Sequence, residues 1–233
     1  MIVTIHQPSY FPWLGLLHKI AKSDICIILD NVQLSDSGFQ NRNLFLTACG
    51  QKKFLTIPIH RKNYKKNVIK ELKIKNTSWL INHMNFLRNS YGKHPFKLEI
   101  LPILESYFED QSDKLIEKIY GSMKICFQLL DIRTEIIFQS DLNYDTSLRK
   151  SDLVLNILRE VGATNYLSGT GAKAYLDFQE FDKDIALHFD DFEHPLYSQK
   201  GINNFEPGLS CLDLLFNQGI SASRQIVQSW CEE

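Results

Sequence analysis

The chain opens on a β-branched run, Ile2-Val3-Thr4-Ile5, which predicts a buried strand. Pro8 and Pro12 interrupt it, and Trp13, Leu16, Leu17, Ile20 and Ala21 then recur at helical spacing over 13–22. Asp24 divides that helix from Ile25-Cys26-Ile27-Ile28-Leu29, which is apolar at every position. A strand with no polar face is covered on both sides, as in a parallel sheet between helix layers. Strand, helix and strand this close together predict a βαβ unit.

Farther along, residues 31–43 are polar and turn-like, and 44–47 and 54–59 flank Ala48-Cys49-Gly50-Gln51 as a hairpin would. From 79 to 130 the pattern is helical, with Leu115, Ile119, Met123 and Phe127 on one stripe and breaks expected at Pro95 and Pro102. The α/β alternation then returns. A strand at Ile136-Ile137-Phe138 precedes an amphipathic helix over 151–161, closed by Gly162, and a strand at Asn165-Tyr166-Leu167. The turn Ser168-Gly169-Thr170-Gly171 opens a helix through Ala172, Tyr175 and Leu176; a strand over 185–189 and a helix over 209–216 follow. No repeat, low-complexity tract or linker interrupts the series. The expectation is one α/β domain over 1–233, with 79–130 as a helical insertion or cap.

Composition narrows the class. With 233 residues and 44% hydrophobic content the chain can bury a core without staples. Its 26 basic and 27 acidic residues leave a net charge of −1, so no overall field draws it to nucleic acid or a membrane surface. Five cysteines without CxxC or CxxH spacing argue against a disulfide framework and a structural zinc. No segment approaches the roughly 18 apolar residues that span a bilayer, and the first residues resemble no signal peptide. The expectation is a cytoplasmic protein acting on a small-molecule or carrier-linked substrate. No cofactor is identified, and homo-oligomerisation stays open.

Four places carry candidate chemistry. His6, Gln7, Ser9 and Tyr10 leave the first strand at the carboxyl edge, where open parallel sheets bind ligands. His6 titrates near neutrality in its ordinary state and is the candidate general acid or base. Second, Ser168-Gly169-Thr170-Gly171-Ala172-Lys173 combines small residues, hydroxyls and a cation, without P-loop or dinucleotide spacing. Third, Asp30 and Gln33 with Gln40, Asn41 and Arg42 supply polar groups suited to a sugar, carboxylate or phosphate. Fourth, His188, Asp190, Asp191, Glu193 and His194 cluster in sequence. Alternation puts His188 and Asp190 on one strand face, a histidine–carboxylate pair orienting a base rather than a metal site.

The opening HQPSYFPWLGLLHKIAKSDICIILDNVQ, continuing into QNRN at 40–43, resembles the N-terminal motif of the WbqC-like family. The stretches at 163–177, 191–197 and 205–219 resemble it too, so the likeness runs from residue 2 to 219. It implies a bacterial protein associated with surface polysaccharides such as O-antigen, with no single settled reaction. By the N-terminal motif it implies functional roles for His6, Gln7, Tyr10, Trp13, Lys19, Asp30, Gln33, Gln40, Asn41 and Arg42. Ser168, Gly169, Lys173, Tyr175, His194 and Pro195 match the later motifs. Thr170 stands where many members have proline, and Leu16 where an aromatic is usual. The opening also resembles nucleotidyltransferase-like Rossmann folds, which implies a Rossmann-like parallel sheet flanked by helices. Their HxGH element is incomplete here, because Gly15 is followed by Leu16. The resulting expectation is a transferase placing an acyl or aminoacyl group on an amino sugar or similar amine. A nucleotide-using enzyme and a non-catalytic scaffold of glycan assembly are the alternatives.

Overall fold

A computed structural model describes residues 1–36, 38–62, 64–174, 181 and 184–232. Seven strands and six α-helices occur among them. β1 (Ile2–His6), β2 (Ile25–Ile28), β5 (Glu135–Phe138), β6 (Asn165–Ser168) and β7 (Ala186–Phe189) form a parallel sheet in the order β5-β2-β1-β6-β7. β3 (Arg42–Leu46) and β4 (Lys52–Thr56) form a separate antiparallel hairpin. Both strands start two residues earlier than the pattern suggests, at Arg42 and Lys52, and the connection runs over 47–51. The helices are α1 (Leu14–Ala21), α2 (Ser78–Tyr91), α3 (Lys97–Glu109), α4 (Leu115–Leu130), α5 (Lys150–Glu160) and α6 (Leu212–Glu232). The fold is an α/β, Rossmann-like parallel sheet flanked by helices. No helix among the described residues is long and apolar enough to cross a membrane.

The central strands alternate between two cores. Cys26 and Ile28 join α1, the hairpin, α2–α4 and α6 in one core; Val3, Ile5, Ile25 and Ile27 join α5 in the other. Every residue of β2 is buried, as its uninterrupted apolar run predicts. The stripe Leu115, Ile119, Met123 and Phe127 is buried along α4. Pro102 does not end a helix as expected: α3 runs through it. The hydrogen bond that proline forfeits is the one to the carbonyl of Leu98, a residue 80% exposed, on the outer side of the helix where the loss of a donor costs least. The turn after β6 forms a 3-10 helix over Thr170–Ala174, and Tyr175 and Leu176 lie outside the described residues. α6 begins at Leu212 and continues beyond the predicted 209–216, past a break at Gly219 whose φ is +76°.

Among the described residues the strand order reverses once. The chain builds β1, β2 and β5 outward on one side, then crosses to lay β6 and β7 on the other side of β1. Such a reversal leaves a crevice beyond the carboxyl ends of the two strands that flank it, here β1 and β6.

Candidate functional site

At that reversal the sheet comes apart. β1 pairs with β2 as far as His6, and β6 pairs with β7 as far as Ser168, but β1 and β6 pair only at Ile2–Asn165 and Val3–Tyr166. Beyond that point the backbone groups facing the gap need other partners. The Leu167 carbonyl accepts the Thr4 hydroxyl at 2.8 Å. Along β1 the carbonyls of Ile2 and His6 serve the β2 side, while that of Met1 serves residues 164 and 165. By the same alternation the Ile5 carbonyl faces β6, and it accepts Lys19 Nζ at 3.2 Å. The lysine ammonium therefore occupies the split between the two strands.

Lys19 comes from the middle of α1, which is buried at every position from Leu14 to Ile20. It is only 4% exposed, and among the described residues its ammonium makes this one hydrogen bond and no ion pair with a carboxylate. Burial pulls its pKa down to about 8, against the opposing pull of Cys26 and Asp190. His6 is held at about 3 by its burial and by the Lys19 charge, against the raising effect of the Gln7 carbonyl. Because that carbonyl can only accept, the 2.7 Å contact fixes the proton on His6 Nδ1 and leaves Nε2 with a free lone pair.

Beside His6 lies a cavity of about 280 Å³, lined by Gln7, Ser9, Trp13, Leu16, Gly38 and Gln40 among others. Trp13 is 37% exposed at its rim, edge-on to Phe192. Its indole lies across Gly15, where a Cβ would come within 2.2 Å of the ring, which explains the glycine two residues after the tryptophan. Gln40 folds back over Gly38 in the same way, donates Nε2 to Gln7 Oε1, and keeps a buried Oε1 with no partner among the described residues. An unpaired buried amide oxygen is costly unless a ligand completes it.

Other predicted residues hold this loop in shape. Tyr10 is fully buried and hydrogen-bonds His83 at 2.9 Å. Asp30 accepts both the N–H and the hydroxyl of Ser140, at 3.0 and 2.6 Å. Asn41 donates to the Ile57 carbonyl, and Arg42 donates to the Gly38 carbonyl while lying over the Phe54 ring. Gln33 donates to the Lys65 carbonyl and lines a different cavity. Ser168 is buried at the end of β6, with its hydroxyl toward Tyr166 and the Gly169 carbonyl. Space around a Cβ at Gly169 is open, Thr170 is exposed, and Lys173 caps the Phe189 ring. His194 sits among Phe192, Tyr197 and Phe205 and donates to the Pro195 carbonyl. The structure thus gathers His6, Gln7, Trp13 and Gln40 around one cavity and sets Lys19 in the adjoining split.

The expected His188–Asp190 pairing does not form. The Asp190 N–H still donates to the Ser168 carbonyl at 2.8 Å, so the pairing with β6 runs one residue past Phe189, but the two side chains take other partners. His188 is exposed and bonds Asn165, whereas Asp190 accepts the Nδ1–H of His18 at 2.7 Å. The expectations from sequence give His18 no role, although a histidine beside Lys19 on a helix whose other residues are apolar or glycine is a usable signal. His18, Asp190 and Asp191 place three ligand atoms within 4.8 Å of one another, the one such group among the described residues. Asp191 faces solvent and Lys22 at 3.7 Å. Asn43, the last residue of the QNRN run, is fully buried and donates to the carbonyls of Tyr10 and Phe11.

Comparison with known proteins is in accord with the resemblance drawn from the motifs. A family model described as WbqC-like protein family matches residues 7–225. The protein named "Uncharacterized protein Rv1507c" of Mycobacterium tuberculosis is 31% identical over 222 residues, covering 94% of this chain and 95% of its own. No solved structure matches the chain.

Proposed function

The chain belongs to the WbqC-like protein family, and on that premise we propose that it is a transferase placing an acyl or aminoacyl group on an amine, such as that of an amino sugar, in surface-glycan assembly. The observation that carries this reading is the buried Lys19 ammonium in the split between β1 and β6, without a carboxylate partner and beside a neutral imidazole. An unpaired buried cation favours an anion, and a transferring carbonyl develops negative charge on its oxygen. Lys19 stabilises that oxyanion or an anionic group of the donor. Gln7 and Gln40 orient the acceptor, and Trp13 covers it. The amine nitrogen attacks the donor carbonyl, the new C–N bond replaces the bond to the leaving group, and His6 Nε2 takes the amine proton. An anion on Lys19 cancels the charge that opposes His6 protonation, which brings the imidazole toward the range a general base needs.

A second reading, a nucleotide-using enzyme, draws on the strand order, which is that of mononucleotide-binding sheets. Against it, Trp13 and Leu16 occupy the two histidine places of the HxGH element.

The test is a thermal-shift panel of acyl thioesters, nucleotide sugars, amino acids and ATP on the wild type, His6→Ala and Lys19→Met, followed by mass spectrometry of the stabilising donor incubated with amino sugars. Stabilisation by an acyl or aminoacyl donor, at least about tenfold weaker in Lys19→Met, with an acylated amine as product, is the expected result. Once a substrate is known, kcat/KM should fall above about pH 8 as Lys19 loses its proton. Stabilisation by ATP alone would move the assignment to nucleotide chemistry. Binding of a donor with no product under any condition would leave a scaffold.

A further inference from the structure

Beyond β2 and β5, on the far side of the sheet's carboxyl edge from the β1–β6 split, lies a second cavity of about 410 Å³. Asn31, Val32 and Gln33 follow β2; Gln139 follows β5; Tyr144, Thr146, Leu148, Arg149 and Leu153 lead into and begin α5. The polar groups around it are oriented by bonds that leave donors over. Gln139 is 1% exposed, and its Oε1 accepts the Asn31 N–H at 3.2 Å. Its Nε2 has no partner among the described residues. The Tyr144 hydroxyl already accepts from Asn31 Nδ2, so its own proton is free to go to another acceptor. Arg149 uses one guanidinium nitrogen on the carbonyls of Thr146 and Leu148, at 2.7 and 2.6 Å, which fixes the group at the start of α5. α5 has no side-chain cap at that end. Its N-terminus adds a partial positive charge in the same place.

Among the described residues no carboxylate lines this cavity; Asp152, in the first turn of α5, is not part of its wall. Asp30, two residues after β2, has both oxygens on Ser140, Glu71 turns to the Val68 N–H, and Asp145 accepts from Ser147. An amide nitrogen with no acceptor among the described residues, a tyrosine proton, a fixed guanidinium and a helix start without a side-chain cap all ask for the same complement. We propose that this cavity binds a small molecule through an oxyanion, carboxylate or phosphate, held by Gln139, Tyr144 and Arg149. The remaining acceptors, Asn31 Oδ1 and Gln33 Oε1, take N–H or O–H groups of its body, which rests on Val32, Val68 and Leu153. This site does not depend on the transfer chemistry assigned to Lys19 and His6.

The experiment is an amide-resolved NMR titration of the full chain with inorganic phosphate, with N-acetylglycine and with a hexose 6-phosphate, on the wild type, Arg149→Gln and Lys19→Met. Saturable shifts at residues 149–153 and at Gln139, weakened at least about tenfold in Arg149→Gln and retained in Lys19→Met, are expected. N-acetylglycine binding more tightly than the phosphates identifies a carboxylate ligand, and the reverse order a phosphate. Shifts that appear only around His6, or equal affinity in Arg149→Gln for every probe, would overturn the assignment. So would the absence of saturable shifts with all three. Arg149→Lys, which keeps the charge but not the planar fork, checks that lost binding in Arg149→Gln reflects the guanidinium: partial recovery supports the site.

Discussion

At the scale of single residues, His6 and Lys19 are placed against their own solvation. Each has its charged form disfavoured by burial, and the two oppose each other. Their linkage to folding has a definite sign. His6 has an ordinary pKa of 6.5 unfolded and about 3 folded, so between those values the unfolded chain holds more protons and stability falls as pH falls. For Lys19 the window runs from about 8 to 10.5, and stability rises with pH across it. His6→Gln removes the first term. The substitution is expected to flatten the loss of stability between pH 6.5 and 4, with a gain relative to wild type on the order of 2 kcal/mol near pH 5. Urea unfolding at a series of pH values measures this, and an unchanged acid slope would show that His6 is not buried uncharged.

At the scale of elements, the segment over 7–12 is neither strand nor helix, yet its turn at Tyr10 and Phe11 is held from several sides. Phe11 has φ at +40°, a conformation that costs a bulky residue energy. Its N–H donates to Ser122 Oγ at 2.9 Å, and Asn43 Nδ2 takes its carbonyl at 2.6 Å and that of Tyr10 at 3.1 Å. Tyr10 N–H in turn donates to the Gln40 carbonyl. The hairpin strand β3 is therefore a clamp on the loop that shapes the cavity. Asn43→Ala strands two buried carbonyls and releases the strained turn, with an expected loss of about 2–4 kcal/mol. Asn43→Asp should fare no better, since a carboxylate cannot donate. Equilibrium denaturation of both variants checks the pair; a cost below about 1 kcal/mol would mean the loop is held by packing alone.

At the scale of the whole molecule, the two cores share β1 and β2, whose alternate residues enter opposite sides. α2–α4 pack into the same core as α1 and α6 rather than forming a core of their own. Separation of the 79–130 block would expose the core face of α6, against which α3 and α4 pack. The chain is therefore expected to unfold as one unit, with far-UV circular dichroism and tryptophan fluorescence giving coincident transitions. Trp79 reports on α2, Trp230 on α6 and Trp13 on the cavity, so a helical subdomain that melts separately would appear as a split between the two signals.

Much of the layered architecture was legible in the chain itself. An apolar run without a polar face, as at 25–29, has one stable environment, and proline and glycine at 8, 12 and 162 punctuate the elements through backbone geometry that needs no tertiary partner. The motif also marked Trp13, Lys19 and Gln40 by residue type. What those residues face could not be read there. Nothing in the order of residues tells that the β1–β6 ladder ends at Val3, that Lys19 enters the gap, or that Asp190 pairs with His18, 172 positions away in sequence. Tyr10, Asp30, Asn41 and Arg42 are as polar in sequence as Gln40, yet each has partners within the fold, while Gln40 keeps an oxygen without one among the described residues. Periodicity reports which side of an element meets the core, a local property. Whether a polar group is satisfied depends on atoms brought near it by the rest of the chain, and only the tertiary structure decides that.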